Sequence, residues 1–462
     1  MARRDASQVF AGMIAGLKYE DLPAGVVEIT KSTILDTIGV ILASSGIAPE
    51  PGEIVRLVVE EGGKEESSII GHGVKVPCYM AAFANGAMGH ALDYDDVAFA
   101  GGEVWGHIGI ATVPAALAVC ERIGKVSGKE LLAALAGADE MLYRLGIAAF
   151  ACPTARSEWF LVPVLGVFGA AAASGKLLGL SEEQLVNAFG IALSQAAGSN
   201  EIGLATKGAM RAIYAAFPGK TGVLSSLMAQ RGIAATENGL EGKAGLFPVY
   251  FHGQHDAGSL AAGLGSRFEI LRTGFKPWCA CAFTHTYIDA TLEMVKKYDI
   301  AARDVEQVDA CTSEYLQTMV GAPLEEKRRP KTGIAAKHSI PFCLAVAIAR
   351  RSVNLRDFLP AAITDREVLG LAERVVPQVH TDVGTVRIVT KGGKTYSNKV
   401  AHPLGSPEKP MSRAQIEAKF RDCASYASKP VSGEVAGGVI RLVGSLEQVA
   451  DVRDIIRLVA QP

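Results

Sequence analysis

The sequence predicts a mainly α protein with an α+β part set into it, on three observations. Segments rich in Ala, Gly and Leu, with helical periodicity, fill the first 265 or so residues. Alternating, β-branched segments appear only after about residue 270, and helical periodicity returns after Pro403. One insert in a helical body is more economical than the three domains in series that length alone suggests at roughly 150 residues per domain. The expected boundaries are 1–268 for the first part of the helical domain, 269–404 for the α+β domain and 405–462 for the C-terminal part of the helical domain.

The elements follow in chain order. LPAGVVEITKSTILDTIGVILASSG places Val27, Ile34, Ile38 and Ile41 on one helical face, with Pro23 suited to the first turn. Ser127 with Glu130, Ser181 with Gln184 and Ser412 with Gln415 form capping-box patterns, in which two side chains satisfy free N–H groups at a helix start. Small residues inside these helices let neighbouring backbones approach closely. In the insert, VEQVDACTSEY (305–315) alternates as a strand, and TVRIVTKGGKTYSNKV (385–400) reads as two strands turning at Gly392 and Gly393. SIPFCLAVAIARRSVN between them reads as a buried helix, and MSRAQIEAKFRDCASYAS and SLEQVADVRDIIRLVAQ restore helix at the end.

Composition narrows the function. Hydrophobic residues make up 49% of the chain and charged residues 20%, which excludes a disordered protein. With 46 Lys+Arg against 48 Asp+Glu, the chain lacks the cationic excess that coats nucleic acid, and small-molecule chemistry is the better reading. The start, MARRDASQVFAGMIAGL, has no signal-peptide pattern, and the longest uncharged stretch, Trp159–Gly175, is interrupted by Pro163 and three glycines. A cytoplasmic protein without a membrane partner is expected. The eight cysteines are scattered, unlike a disulfide framework, and are expected to be reduced and buried. GKT at 219–221 fails as a phosphate loop because Tyr214 stands where its leading glycine belongs. Cys279 and Cys281, followed by His285, lack a second ligand pair and read as packing residues, so no metal is expected.

Three segments, NGAMGHALDYDDVAFAGGEVWGH (85–107), GVFGAAAASGKLLGLSEEQLVNAFGIALSQAAG (166–198) and FKPWCACAFTHTYIDA (275–290), resemble the MmgE/PrpD family. The similarity runs from LPAGVVEITKSTILDTIGV to HPLGSPEKPMSRAQIEAKF. That family includes 2-methylcitrate dehydratases, cis-aconitate decarboxylases and an iminodisuccinate epimerase. The resemblance implies a large all-helical domain made from both chain ends, a smaller α+β lid, an active site between them, a homodimer and no metal or organic cofactor.

The resemblance also implies site residues. Asp93 of LDYDD and His107 of WGHIGIAT match residues that line the family's site, and Lys207 of ATKGAM and Lys276 of GFKPW match its two active-site lysines. Proton transfer next to a carboxylate needs a proton carrier and cations that hold the developing negative charge. On this reading His107 carries the proton, Asp93 orients it or acts as a second acid or base, and the lysines anchor carboxylates. Asp95 and Asp96 are expected to cap or solvate a loop, Arg211 and Lys220 to be solvated on a helix surface, and His90 and His338 to rank below His285 of FTHTY.

Departures from the family pattern point to the substrate. Val97 replaces a threonine, Phe160 stands where a site histidine is common, Trp278-Cys279-Ala280-Cys281-Ala282 loses an arginine, and Phe342 replaces a tyrosine. Val97, Phe160, Cys281, His285 and Phe342 are accordingly expected to bind substrate. A buried polar group left unpaired against such a wall costs about 1–3 kcal/mol, so a tricarboxylate fits poorly. The expected function is a cofactor-independent lyase acting on a small carboxylate by α-proton abstraction and β-elimination, on a substrate other than 2-methylcitrate. The alternatives are epimerisation, decarboxylation and a catalytically silent small-acid binder.

Overall fold

The computed structural model describes residues 4–205 and 209–460. Its helical body is organised around Ala24–Ile47, a helix buried along most of its length, with Val27, Ile34, Ile38 and Ile41 all in the core and Pro23 immediately before its first turn. Helices Cys78–His90, Gly109–Ile123 and Gly128–Phe150 pack on it, and Leu161–Leu177 and Ala216–Gln230 pack on these and on each other. Small residues make this possible: a methyl group on Gly222 would overlap the Ala170 backbone of the neighbouring helix. All three capping boxes form, at Ser127, Ser181 and Ser412.

The chain's last helices, Arg413–Ser425, Gly433–Gly444 and Arg453–Val459, rejoin this body. Phe420, Val439, Ile440, Ile455 and Ile456 share one core with the N-terminal helices. Phe420 lies against Gly39, where a larger residue would crowd it.

The α+β part has its own core. Four strands run in the order Val375–Val379, Val305–Thr312, Thr385–Thr390, Thr395–Lys399, the first pair parallel and the others antiparallel. Helices Ala282–Lys297 and Ile340–Arg350 pack on this sheet, bringing Ile288, Leu292, Cys343 and Ala347 against Val308, Val386 and Ile388. The turn between the last two strands contains Gly393 at φ 79°, a conformation that glycine adopts without steric cost. Strand Val375–Val379 is an addition to the sequence reading. Its five residues are too short to show alternation, and Pro377 is tolerated because the strand lies at the sheet edge.

A separate three-stranded sheet positions the site. Val97–Ala100 pairs with Glu103–Gly106 in a hairpin and, on its other side, with Thr273–Gly274 at the entry to the α+β part. All eight cysteines are free, seven of them buried, and no helix among the described residues is long and apolar enough to cross a membrane.

Candidate active site

The loop after helix Cys78–His90 and the hairpin that follows build one wall of the site. Asp93 takes φ 49°, a left-handed conformation that aspartate tolerates better than most residues, and its N–H bonds to the His90 carbonyl at 2.7 Å. The chain then runs out along Val97–Ala100 and reverses at Gly101-Gly102, where φ values of 58° and 83° suit a two-residue hairpin turn. This reversal returns His107 to the loop it left.

The returned histidine meets Asp95. Its Nδ1 lies 2.9 Å from Asp95 Oδ2 and 2.6 Å from the Asp96 carbonyl, while His90 Nδ1 lies 2.9 Å from Asp95 Oδ1. Burial alone would raise the Asp95 carboxyl, but His107 and then His90 outweigh it and hold Asp95 far below the ordinary carboxylate range. Burial likewise opposes charge on His107, and Asp95 outweighs it, so the His107 pKa is raised. His107 therefore favours its imidazolium form, with Nδ1 donating to the Asp96 carbonyl and paired in charge with the Asp95 carboxylate, and Nε2 unbonded among the described residues.

This corrects the expected division of labour in the LDYDD loop. Among the described residues Asp93 makes no hydrogen bond or ion pair with His107; the carboxylate beside its Nδ1 is Asp95, which is buried rather than solvated. Asp96 does cap: its oxygens accept from Ile108 N and Gly109 N, at the start of helix Gly109–Ile123. Burial, and then Asp95, push its carboxyl up to about 6.

Asp93 faces the other way. Lys276 Nζ donates to its carboxylate and, at 3.0 Å, to its backbone carbonyl, and His338 Nε2 lies 3.0 Å from Oδ2. Lys276 is fully buried and engaged by Asp93, so its charge is already matched by protein rather than left open for a substrate. Arg211, expected on a helix surface, is instead buried, with Nε donating to His338 Nε2 at 2.9 Å. Its Nη1 is buried without a hydrogen-bond partner, and no carboxylate pairs with it among the described residues. A buried guanidinium without a counter-ion is costly, by several kcal/mol in order of magnitude, unless a ligand supplies the anion.

These groups line a cavity of about 80 Å³ that includes His90, Asp93, His107, Arg211 and His338 on its polar side and Phe160 on its apolar side. The Phe160 ring lies 4.4 Å from Tyr214 and 6.0 Å from the Arg211 guanidinium. Cys281 also lines this cavity, its thiol pushed up to about 11 by burial and then by Asp93. A second cavity of about 670 Å³ adjoins it, sharing Val104, Arg156, Ala282, Phe283 and Tyr315, and contains Val97, Lys276 and His285 in its wall. His285 Nε2 lies 3.0 Å from the Ala280 carbonyl, and burial followed by Lys276 brings its imidazole down to about 3. It stays neutral and braces the turn that carries Cys281. Phe342 is the exception among the expected substrate contacts: it is fully buried in the α+β core beside Phe358, at 6.1 Å, and lines neither cavity. Lys207 lies outside the described residues.

Two clusters carry metal-ligand residue types, His90 with Asp95 and His107, and Asp93 with Cys281 and His338. The first of these is assembled by the hairpin, which brings His107 back to His90 and Asp95. In the first cluster His90 Nδ1 bonds to Asp95 and His107 Nδ1 to the Asp96 carbonyl; in the second, Lys276 engages Asp93 and Arg211 engages His338.

The MmgE/PrpD N-terminal domain model matches residues 8–258, and the MmgE/PrpD C-terminal domain model matches residues 278–436. Among similar proteins, a cis-aconitate decarboxylase of Aspergillus terreus is 27% identical over 478 residues, covering 97% of this chain and 94% of its own. The cis-aconitate decarboxylases of Homo sapiens and Mus musculus are each 25% identical, covering 100% of this chain and 96% and 95% of theirs.

Proposed function

Because the chain belongs to the MmgE/PrpD family, we propose that it is a cofactor-independent lyase acting on a small carboxylate, with His107 as proton donor and Arg211 as carboxylate anchor. The observation that carries this reading is one cavity holding a histidine biased toward its imidazolium form, Nε2 unbonded, and a buried guanidinium that no carboxylate pairs among the described residues. The guanidinium supplies a planar fork for a carboxylate and stabilises the charge that develops beside it. The less polar body of the substrate extends toward the larger cavity, whose wall includes Val97, Phe99 and Phe275.

Elimination of water across the carbon next to the carboxylate is the first reading, because the cavity holds groups biased in opposite directions. His107 is raised toward its charged form, while His338 is brought down to about 4 by burial and then Arg211. Environments that push two titratable groups apart assign an acid and a base. Decarboxylation is the second reading. The cis-aconitate decarboxylases among the relatives favour it, and a charged His107 can equally protonate the carbanion that loss of carbon dioxide leaves. Phe160 and Val97 argue against a tricarboxylate in either case.

A mass-spectrometric screen of hydroxy-, amino- and unsaturated acids tests the reading. Loss of water or carbon dioxide from one of them identifies the lyase and chooses its chemistry. Deuterium uptake from heavy water into recovered substrate, without a product, would replace the lyase with an epimerase. Binding without turnover or exchange would leave a silent acid-binding protein.

A further inference from the structure

His338 is placed where two groups compete for one nitrogen. Its Nδ1 lies 2.8 Å from the Ile334 carbonyl, which can only accept, so Nδ1 carries the ring's proton. In the neutral ring Nε2 is then a lone pair, and Arg211 Nε–H donates to it. The Asp93 Oδ2 lies 3.0 Å from the same Nε2. With both deprotonated, two lone pairs face each other across that gap, and one proton placed between them would join them. Arg211 occupies the Nε2 lone pair while its own Nη1 is unpaired.

We propose that Asp93 and His338 together form the base of the reaction, and that a substrate carboxylate activates it by drawing Arg211 away from His338. This rests on the reading of the cavity as a carboxylate site. A ligand's carboxylate is met first by the unpaired Nη1, and as a charged acceptor it outcompetes the neutral Nε2 for the guanidinium, which draws Nε from the ring. Burial first and Arg211 second depress His338, so neutralising Arg211 removes the second cause and raises its basicity when substrate is present. Asp93, held low by Lys276 against the effect of burial, stays ionised and draws the incoming proton. The other groups facing His338 do not compete: Cys281 is a neutral thiol, and Lys327 Nζ donates to the His338 carbonyl at 2.7 Å.

The step balances. The pair takes the proton from the carbon beside the carboxylate, and the released C–H electron pair becomes the double bond as the C–O bond breaks. The departing hydroxyl takes the His107 proton and leaves as water. One proton is gained at the pair and one is lost at His107, and exchange with solvent resets both.

Tetrafluorosuccinate tests this without knowledge of the substrate, because its carboxyl groups are ionised across the working range. Calorimetric titration near pH 5, in buffers of different ionisation heat, counts the protons that accompany binding. At that pH His107 is already charged; His90, held low by burial, lines the same cavity in every variant, so uptake is counted as the excess over the double variant His338→Asn/Arg211→Lys, and that excess reports the Asp93–His338 pair. Wild-type protein should bind with net proton uptake. His338→Asn, which keeps an N–H for the Ile334 carbonyl, should bind without it. Arg211→Lys keeps the positive charge but has no Nε to cap the ring; it should bind about tenfold more weakly and take up no further proton. Circular dichroism melts confirm that each variant folds, and either one alone decides the matter. Wild-type binding without uptake, or uptake that persists in a folded variant, overturns the proposal. A wild-type chain that binds neither tetrafluorosuccinate nor any acid in the mass-spectrometric screen loses the carboxylate site itself, and this proposal with it.

Discussion

At His107, burial and charge pull in opposite directions, and Asp95 decides the outcome. A proton carrier acts mainly in the transition state, so His107→Gln should lower kcat by about 10²–10⁴-fold with little change in KM. Activity that needs the imidazolium should fall as pH rises through the raised pKa of His107. Asp95→Asn should move that limb to lower pH, and a pH profile that does not move would remove Asp95 from the mechanism. His285 is the opposite case. Its imidazole is at about 3 in the folded chain against about 6.5 unfolded, so the unfolded chain binds the extra proton between those values. The stability it contributes is present above pH 6.5 and is lost as pH falls toward 3, by up to about 1.4 kcal/mol per unit. Melts of His285→Gln across that window should show a shallower decline than wild type. Of these residues the sequence pointed to His107 and Asp93 by resemblance, but not to the pairing. Asp95 and Asp93 look alike in LDYDD, and only the left-handed turn at Asp93 sends one carboxylate toward His107 and the other toward Lys276.

The hairpin explains why that pairing is hidden at the level of elements. Its strands are four residues each, too short to display alternation, though Gly-Gly between Val97–Ala100 and Glu103–Gly106 is a turn signal that could have found it. The longer elements were legible because each repeats its own signal, as with the capping serines and the alternating strand Val305–Thr312. Arg211 was not, because it lies in the four-residue helix Met210–Ile213, whose burial is set by tertiary neighbours rather than by any period of its own. The hairpin also depends on helix Gly128–Phe150, where Gly146 accepts the Trp105 ring so closely that a methyl group would overlap it. Trp105 lines the small cavity. Gly146→Ala should therefore push the indole toward the cavity, costing about 1–3 kcal/mol of stability by overpacking and reducing activity more than heat stability alone accounts for. Chemical denaturation and kcat/KM on the same preparation check both effects.

Across the whole molecule, the reactive loop is held by distant parts of the chain. Lys276 reaches Asp93, Cys279 Sγ donates to the Leu92 carbonyl at 3.2 Å, and Lys419 Nζ lies 2.5 Å from the Tyr94 carbonyl and 2.6 Å from Asp36 Oδ1. Lys419→Met would leave Asp36 buried without its cation, a loss on the order of 3–5 kcal/mol. Burial already raises the Asp36 carboxyl, so protonation can relieve part of that cost. The variant's deficit in urea melts should therefore be smaller at pH 5 than at pH 8, and an equal deficit at both would show that Asp36 is not its source. Periodicity showed helix returning after Pro403, and the resemblance implied that these helices rejoin the N-terminal body; the reach of Lys419 to Tyr94 was not legible, because a single lysine carries no pattern. This long reach matters during synthesis. Tyr94 and Lys419 are 325 residues apart, and at about 5–20 residues per second a ribosome needs roughly a quarter of a minute to a minute to deliver the second after the first. Throughout that interval the acidic loop of the nascent chain lacks the last cation that fastens it, so the loop reaches its final arrangement only after translation has passed Lys419.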